Sequence, residues 1–296
     1  MSTTKETRKV TIPTLRAMTA RAEPITMVVA YDYPSGRIAD EAGIEVVLVG
    51  DSLAMTMLGQ PDTLSVTMDE MLIFTRAVSR ACRRAMVIGD MPYGSYTISE
   101  EDAVRNGLRF MKEGRADAVK LEGGERVAPV VRRLTRAGIP VMGHIGLTPQ
   151  SLALLGGFRV QGRSAAGVEQ LLRDARAVAE AGAFATVVEA VPAEVGAALT
   201  DAARIPTLGI GAGPHCAGQV LLWHDLFGLY HGHSPKFACR YGEAGALFAE
   251  GLTHFADDVR ARRFPTEEHT YDVPEAERAA IAGIIGQFME GARHHE

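Results

Sequence analysis

The sequence predicts an α/β fold, a single (β/α)8 TIM barrel with a short helix ahead of it and a helical extension behind. Three observations predict it. Short, wholly apolar runs recur, as in Glu45-Val46-Val47-Leu48-Val49-Gly50-Asp51-Ser52; runs of that length and composition are strands buried on both faces of a parallel sheet. Helical periodicity separates one run from the next, with no linker-like, repetitive or low-complexity break. Five of the runs deliver a titratable side chain at or near their C-terminal end, as Asp51, Asp90, Glu122, His144 and Glu189 do. That edge of a parallel sheet is where ligands bind. A doubly wound sheet gathers its site around one switch point and would not spread chemistry over so many strand ends.

The elements follow in order. Residues 1–10 are polar and expected to fray, 11–271 to form the barrel, and 272–296 to form the extension. Thr14 to Ala22 reads as a short helix before Pro24, and Ile25 to Tyr31 as the first strand. Pro34 to Ala42 is helical, with Gly43 placed to stop it. The Asp51 strand leads into a long connection, Leu53 to Val66, and loops of that length are more often functional than idle. Thr67 and Glu70 form a capping box for a helix to about Arg84. The third strand ends at Asp90, and Ser99 caps an acidic first turn whose helix reaches Gly114.

Lys120 and Glu122 lie on the fourth strand, and a helix from Glu125 to Ala137 follows. His144 ends the fifth strand, and a second long connection runs from Ile145 to Arg163. Ala165 to Ala181 is helical, Thr186 to Glu189 is the sixth strand, and Pro192 to Ala203 is the next helix. The seventh strand, Ile205 to Ile210, runs into Gly211-Ala212-Gly213-Pro214, read as a tight turn. The eighth is assigned to Leu226–Tyr230. In the extension, Pro274, Glu275 and Glu277 open a helix. Ile281, Ile284, Ile285, Phe288 and Met289 give it one apolar stripe, and Gly291 is placed to end it before His294 and His295.

A hydrophobic share of 47% and a charged share of 23% suit a globular protein with a sizeable core. A net charge of -5 with no basic stripe argues against nucleic acid as the main partner. Cys82, Cys216 and Cys239 form no Cys-x-x-Cys pair, which speaks against a disulfide framework or zinc and for a reducing cytoplasm. No apolar segment after Lys5, Arg8 and Lys9 resembles a leader, and no run reaches the length of a membrane span.

Asp51 and Asp90 each follow a glycine at the end of a buried strand. Either could cap a helix or turn. With Glu122 converging on the same barrel mouth, an oxygen-ligated hard cation such as Mg²⁺ is the better account. Lys120 alternates with Glu122 and so shares its face; a lysine inside a barrel is costly unless it meets an anion, which favours substrate contact over a plain ion pair. Glu189 lies between apolar segments that should raise its pKa towards general-base use. His144 reads equally as a satisfied core histidine or a functional one. The three cysteines lack an activating partner.

Several of these blocks together are similar to the ketopantoate hydroxymethyltransferase family. They are Val49-Gly50-Asp51-Ser52-Leu53, Gly89-Asp90-Met91-Pro92-Tyr93-Gly94-Ser95-Tyr96, Lys120-Leu121-Glu122-Gly123-Gly124, Gly143 to Ser151, and Gly209-Ile210-Gly211-Ala212-Gly213-Pro214. The resemblance spans about Thr11 to Tyr271. It implies a barrel of the phosphoenolpyruvate/pyruvate-binding type, cytoplasmic and homo-oligomeric, usually a decamer. The implied reaction is one-carbon transfer from 5,10-methylenetetrahydrofolate to 3-methyl-2-oxobutanoate, giving 2-dehydropantoate for pantothenate and coenzyme A. By match, Asp51, Asp90 and Glu122 would bind Mg²⁺, while Asp51, Ser52, Asp90 and Lys120 would hold the ketoacid. Glu189 would be the proton acceptor. His144, apart from the match, is a candidate to support the site from beside it. Ala54 stands where the family usually has Gly, Tyr93 where Phe is commoner, and Ala238-Cys239 where Val-Lys is usual. Another carbon–carbon lyase or mutase of the same barrel type, or a non-catalytic ketoacid-binding protein, are the competing readings.

Overall fold

Burial on both faces turns the apolar runs into a closed parallel sheet. The computed structural model describes residues 8–230, 232 and 235–293. Among them, β1 (Ile25–Val29), β2 (Val46–Val49), β3 (Met86–Asp90), β4 (Ala118–Lys120), β5 (Val141–Gly146), β6 (Ala185–Glu189), β7 (Thr207–Ile210) and β8 (Gly218–Leu222) pair in that order, and β8 returns to β1. The helices are, in chain order, α1 (Ile12–Ala20), α2 (Tyr33–Glu41), α3 (Leu53–Thr56), α4 (Met68–Ala81), α5 (Glu100–Arg109), α6 (Ala128–Arg136), α7 (Leu152–Leu155), α8 (Ala165–Glu180), α9 (Ala193–Ala203), α10 (Trp223–Leu226), α11 (Ala244–Arg260) and α12 (Glu275–Arg293).

Local signals place most of these ends. Thr67 caps α4 through the reciprocal box with Glu70, whose Oε2 accepts from the Thr67 amide at 2.8 Å. Ser99 Oγ accepts from the Asp102 amide at 3.1 Å and opens α5. Behind β3, Gly89 leaves no room for a side chain, since a Cβ there would run into the Phe110 ring. That ring, at the start of a π-helical turn (Phe110–Gly114), therefore packs directly behind Asp90.

Three expectations need correction. The eighth strand is Gly218–Leu222, not Leu226–Tyr230; Leu226 ends α10 instead. Gly218 masks the strand in sequence, yet it is required, because a Cβ there would meet that of Ile25 at 2.8 Å. The fraying expected of residues 1–10 does not hold for Lys9 and Val10. Val10 is buried and its amide bonds the Arg84 carbonyl at 2.7 Å, while Lys9 pairs with Asp117 at 2.7 Å. The rest of that expectation, residues 1–7, lies outside the described residues. Finally, α12 continues past Gly291 to Arg293; His294 and His295 lie outside the described residues.

The chain forms two compact units, one up to Glu243 and one from Ala244 onward, so the division falls before Tyr271. The first holds the barrel. The second holds α11 and α12, which leave Leu247, Phe248, Leu252, Ile284, Ile285, Phe288 and Met289 exposed. Among the described residues no helix is long and apolar enough to cross a membrane.

Candidate active site

Parallel register sets the site. Asp90 on β3 lies level with Lys120 on β4, and Gly146 on β5 lies level with Glu189 on β6. Asp51 follows β2 by two residues, and its backbone N–H donates to Asp90 Oδ2 at 3.0 Å. Lys120 Nζ donates to Asp90 Oδ2 at 2.9 Å and to Glu122 Oε1 at 3.1 Å. His144 spans the next gap: its Nδ1 lies 3.2 Å from Glu122 Oε1 and its Nε2 lies 3.1 Å from Glu189 Oε2. The ring is not aligned on either oxygen, so these are ion-pair contacts rather than good hydrogen bonds. The five side chains form one line across β3 to β6, with Asp51 joined to its end.

These groups are buried, and burial decides their protonation. It pushes Asp51 well above the usual carboxylate range, and the negative charge of Asp90 adds to that. Asp90 is raised by burial as well, with Lys120 opposing. Burial would lower Lys120, but Asp90, Glu122 and Asp51 hold its ammonium well above the ordinary range. Glu122 resists the upward push of burial because Lys120 and His144 flank it, and it falls to about 2. Burial and Lys120 push His144 down, yet Glu122 and Glu189 outweigh them and lift it to about 9. Its two carboxylate neighbours thus favour the charged form of His144.

Among the described residues neither Asp51 nor Asp90 caps a helix with its side chain, the alternative their positions also allowed. The Asp51 Oδ2 instead accepts from Gln150 Nε2 at 2.8 Å. Gln150 is a residue that sequence reasoning did not assign. It is buried, its backbone N–H donates to Glu122 Oε2 at 2.9 Å, and its side chain also donates to the Met91 carbonyl at 3.0 Å. Tyr96 donates to Gln150 Oε1, which fixes which way the amide faces. Ser52, at the start of α3, shares a 2.9 Å hydrogen bond with Tyr31 at the end of β1. The sequence signal for Gln150 and Tyr96 is their place in the blocks Gly143–Ser151 and Gly89–Tyr96, which also hold His144 and Asp90.

The donor set suits a hard cation. Asp90 Oδ1 is buried with no partner, and Asp51 lines the cavity with one oxygen engaged. Both oxygens of Glu122 are taken, by Lys120 and His144 on one side and Gln150 on the other. Among the described residues no three His, Cys, Asp or Glu side chains stand as a ready-made metal cluster. Mg²⁺ needs no such cluster; one or two carboxylates with water and substrate oxygens suffice. Asp51 and Asp90 fit that pattern.

A cavity of about 970 Å³ opens over this line of charges. Its far side is formed by β7, β8 and β1 and is apolar, apart from Asp225 on α10. Gly211 (φ +64°) turns the chain out of β7, and the absence of a Cβ there admits the Phe237 ring to the wall. The Gly-Ala-Gly segment is thus a tight turn, as its sequence suggests. Of the cysteines, Cys82 is buried with its thiol pushed up to about 12 by burial, and burial raises Cys216 too, the opposite of activation.

A closed barrel with charged side chains from successive strand ends facing one deep cavity defines a (β/α)8 enzyme. The chain belongs to the ketopantoate hydroxymethyltransferase family, whose pattern matches residues 9–267. A 3-methyl-2-oxobutanoate hydroxymethyltransferase of Moorella thermoacetica is 54% identical over 263 residues, 89% of this chain and 98% of that one. One from Chloroflexus aurantiacus is 51% identical over 95% of this chain and all (100%) of its own. Among solved structures, 2,3-dimethylmalate lyase, a PEP mutase/isocitrate lyase superfamily member, superposes with a TM-score of 0.57 at 16% identity, covering 96% of this chain and 98% of its own. Phosphonopyruvate hydrolase gives 0.57 at 15% identity over 96% and 99%. Those two likenesses concern the fold.

Proposed function

We propose that the chain transfers a hydroxymethyl group from 5,10-methylenetetrahydrofolate to 3-methyl-2-oxobutanoate, giving 2-dehydropantoate in cytoplasmic pantothenate and coenzyme A synthesis. The observation that carries this is the placement of Glu189 beside a buried cation pair, Lys120 and His144, at the floor of one cavity. Relatives about half identical, named for this reaction, support it.

The C3 proton of the ketoacid leaves only if the resulting enolate oxygen is stabilised. Lys120 has spent two of its N–H donors on Asp90 and Glu122, which leaves one for the ketoacid's carboxylate, with Ser52 on the same side. Asp51 and Asp90 would hold Mg²⁺, which when bound supplies a Lewis acid for the keto and carboxylate oxygens. Glu122 acts through Lys120 and Gln150, orienting both, rather than by direct contact with the ion. Glu189 takes the C3 proton at its carboxylate. Glu122 and Glu189 favour the charged form of His144, which suits it to support Glu189 and the developing enolate rather than to act as the base. Water adds to the donor's methylene carbon and its two C–N bonds break, which releases tetrahydrofolate and a formaldehyde-level carbonyl. The enolate carbon attacks that carbonyl carbon, and the resulting alkoxide takes a proton to become the hydroxyl.

Purified protein given ketoacid, methylenetetrahydrofolate and Mg²⁺ should form 2-dehydropantoate, lose turnover in EDTA and regain it on adding Mg²⁺. A protein that turns over with EDTA present would sink the metal reading, and one that forms no product would sink the reaction.

Assembly is proposed through the C-terminal helices. Burying Ile281, Ile284, Ile285, Phe288 and Met289 is worth on the order of 5–10 kcal/mol before ordering costs. Truncation after Tyr271 should shrink the oligomer in light scattering and leave the barrel's circular dichroism intact.

A further inference from the structure

The proposed ketoacid chemistry uses β2 to β6 and leaves half of the cavity without a task. A volume of about 970 Å³ is at the upper end of what encloses a drug-sized molecule. A five-carbon ketoacid fills little of that space. The unused half is walled by Met27, Ile210, Val220, Leu222, Tyr230 and Phe237, so its occupant presents apolar surface to this wall.

One carboxylate interrupts this wall. Asp225 is buried on α10, directly after β8, and lines the cavity. Among the described residues its carboxylate accepts no hydrogen bond. Arg240 is the nearby cation, and it is turned to Glu243 at 3.3 Å. With no protein donor among the described residues, this carboxylate is left to donors that come from the cavity it lines. Next to it, His224 Nδ1 is buried and also lacks a partner, and the His224 ring leans on Tyr31 at 5.3 Å, the residue that bonds Ser52. The apolar half and the ketoacid half thus meet at Tyr31.

The sign of the charge selects the ligand. A carboxylate repels the ketoacid and any other anion. It pairs best with a planar edge that offers two adjacent N–H donors, as in an amino-pyrimidinone ring. Arg159 and Lys236, exposed on the cavity's lining and free of ion pairs among the described residues, suit an anionic far end of the same molecule.

We propose that Asp225 binds the one-carbon donor, its carboxylate accepting the paired N–H groups of the donor's 2-amino-4-oxo ring while the ring lies on the β7–β8–β1 wall. This rests on the folate-donor reading above. It divides the cavity into two independent subsites, one for each substrate.

The test compares wild type and Asp225→Asn, a near-isosteric change that keeps the backbone and removes the charge, with circular dichroism to verify the fold. Two quantities are read: tetrahydrofolate binding by calorimetry, and exchange of the ketoacid C3 proton with deuterated solvent in the absence of folate. Loss of a charge-assisted pair should weaken tetrahydrofolate binding by roughly 10–100-fold, and exchange should stay within about twofold. Unchanged tetrahydrofolate binding in D225N would overturn the assignment while leaving the donor reading intact. A parallel loss of exchange would place Asp225 in the ketoacid site instead and overturn it too. A wild type that exchanges C3 but binds no tetrahydrofolate would refute the donor reading, and the Asp225 assignment with it.

Discussion

The two walls of the cavity are built on different physics. From β2 to β6 the wall is a chain of charges, Asp51–Asp90–Lys120–Glu122–His144–Glu189, each held by the next at hydrogen-bond or ion-pair distance. From β7 through β8 to β1 it is apolar side chains with the single acid Asp225. A charged chain inside a barrel is expensive, and it persists only because the opposite charges in it offset one another. The apolar wall costs nothing to bury and says little about what it binds. The first wall should therefore fail sharply when one member is removed, and the second should fail by degrees.

The largest effect should come from Lys120→Met. It strips Asp90 and Glu122 of their shared cation, and breaking a buried pair from one side typically costs about 3–5 kcal/mol. Urea unfolding at neutral pH measures it. A loss under about 1 kcal/mol would mean that the charges are less interdependent than the distances indicate. Gln150→Leu is smaller. It removes one amide donor from Asp51 and leaves the backbone bond to Glu122, so ketoacid C3 exchange should slow by roughly 10–100-fold with the fold retained. Unaltered exchange would make Gln150 a packing residue.

The smallest effect belongs to a carboxylate on neither wall. Glu45, ahead of β2, is pushed up by burial but held below its ordinary value by Thr26 and Arg84. A lowered folded-state pKa stabilises the fold above the unfolded value of about 4.5, and that stability is lost as pH falls through the folded value. Glu45→Gln should cost under about 1 kcal/mol at pH 7, and the gap to wild type should close in acid. A gap that widens in acid would reverse the sign of the assignment.

The same contrast governs what the sequence made legible. Asp51, Asp90, Lys120, Glu122 and Glu189 stood out because a charge closing an apolar run has no local reason to be there. Gln150 and Tyr96 were not singled out, since a neutral amide and a phenol in a loop look like ordinary turn residues until their partners across the barrel are known. The β8 strand was misplaced because Gly218 and Gln219 interrupt its pattern, and the reason for Gly218, contact with Ile25 at the barrel's closure, is far away in sequence. Asp225 was passed over with it. The apolar residues of the second wall read as core, because burial against protein and burial against a ligand leave the same pattern in sequence.

The central claim is that the charged wall alone, with Glu189 as base, removes the ketoacid's C3 proton. Its most direct measurement is deuterium exchange at C3 of 3-methyl-2-oxobutanoate, followed by NMR with Mg²⁺ and no folate, in wild type and Glu189→Gln. Exchange should be rapid in wild type and roughly 10²–10⁴-fold slower in the variant, with ketoacid binding retained. Exchange at the wild-type rate in E189Q would contradict the account.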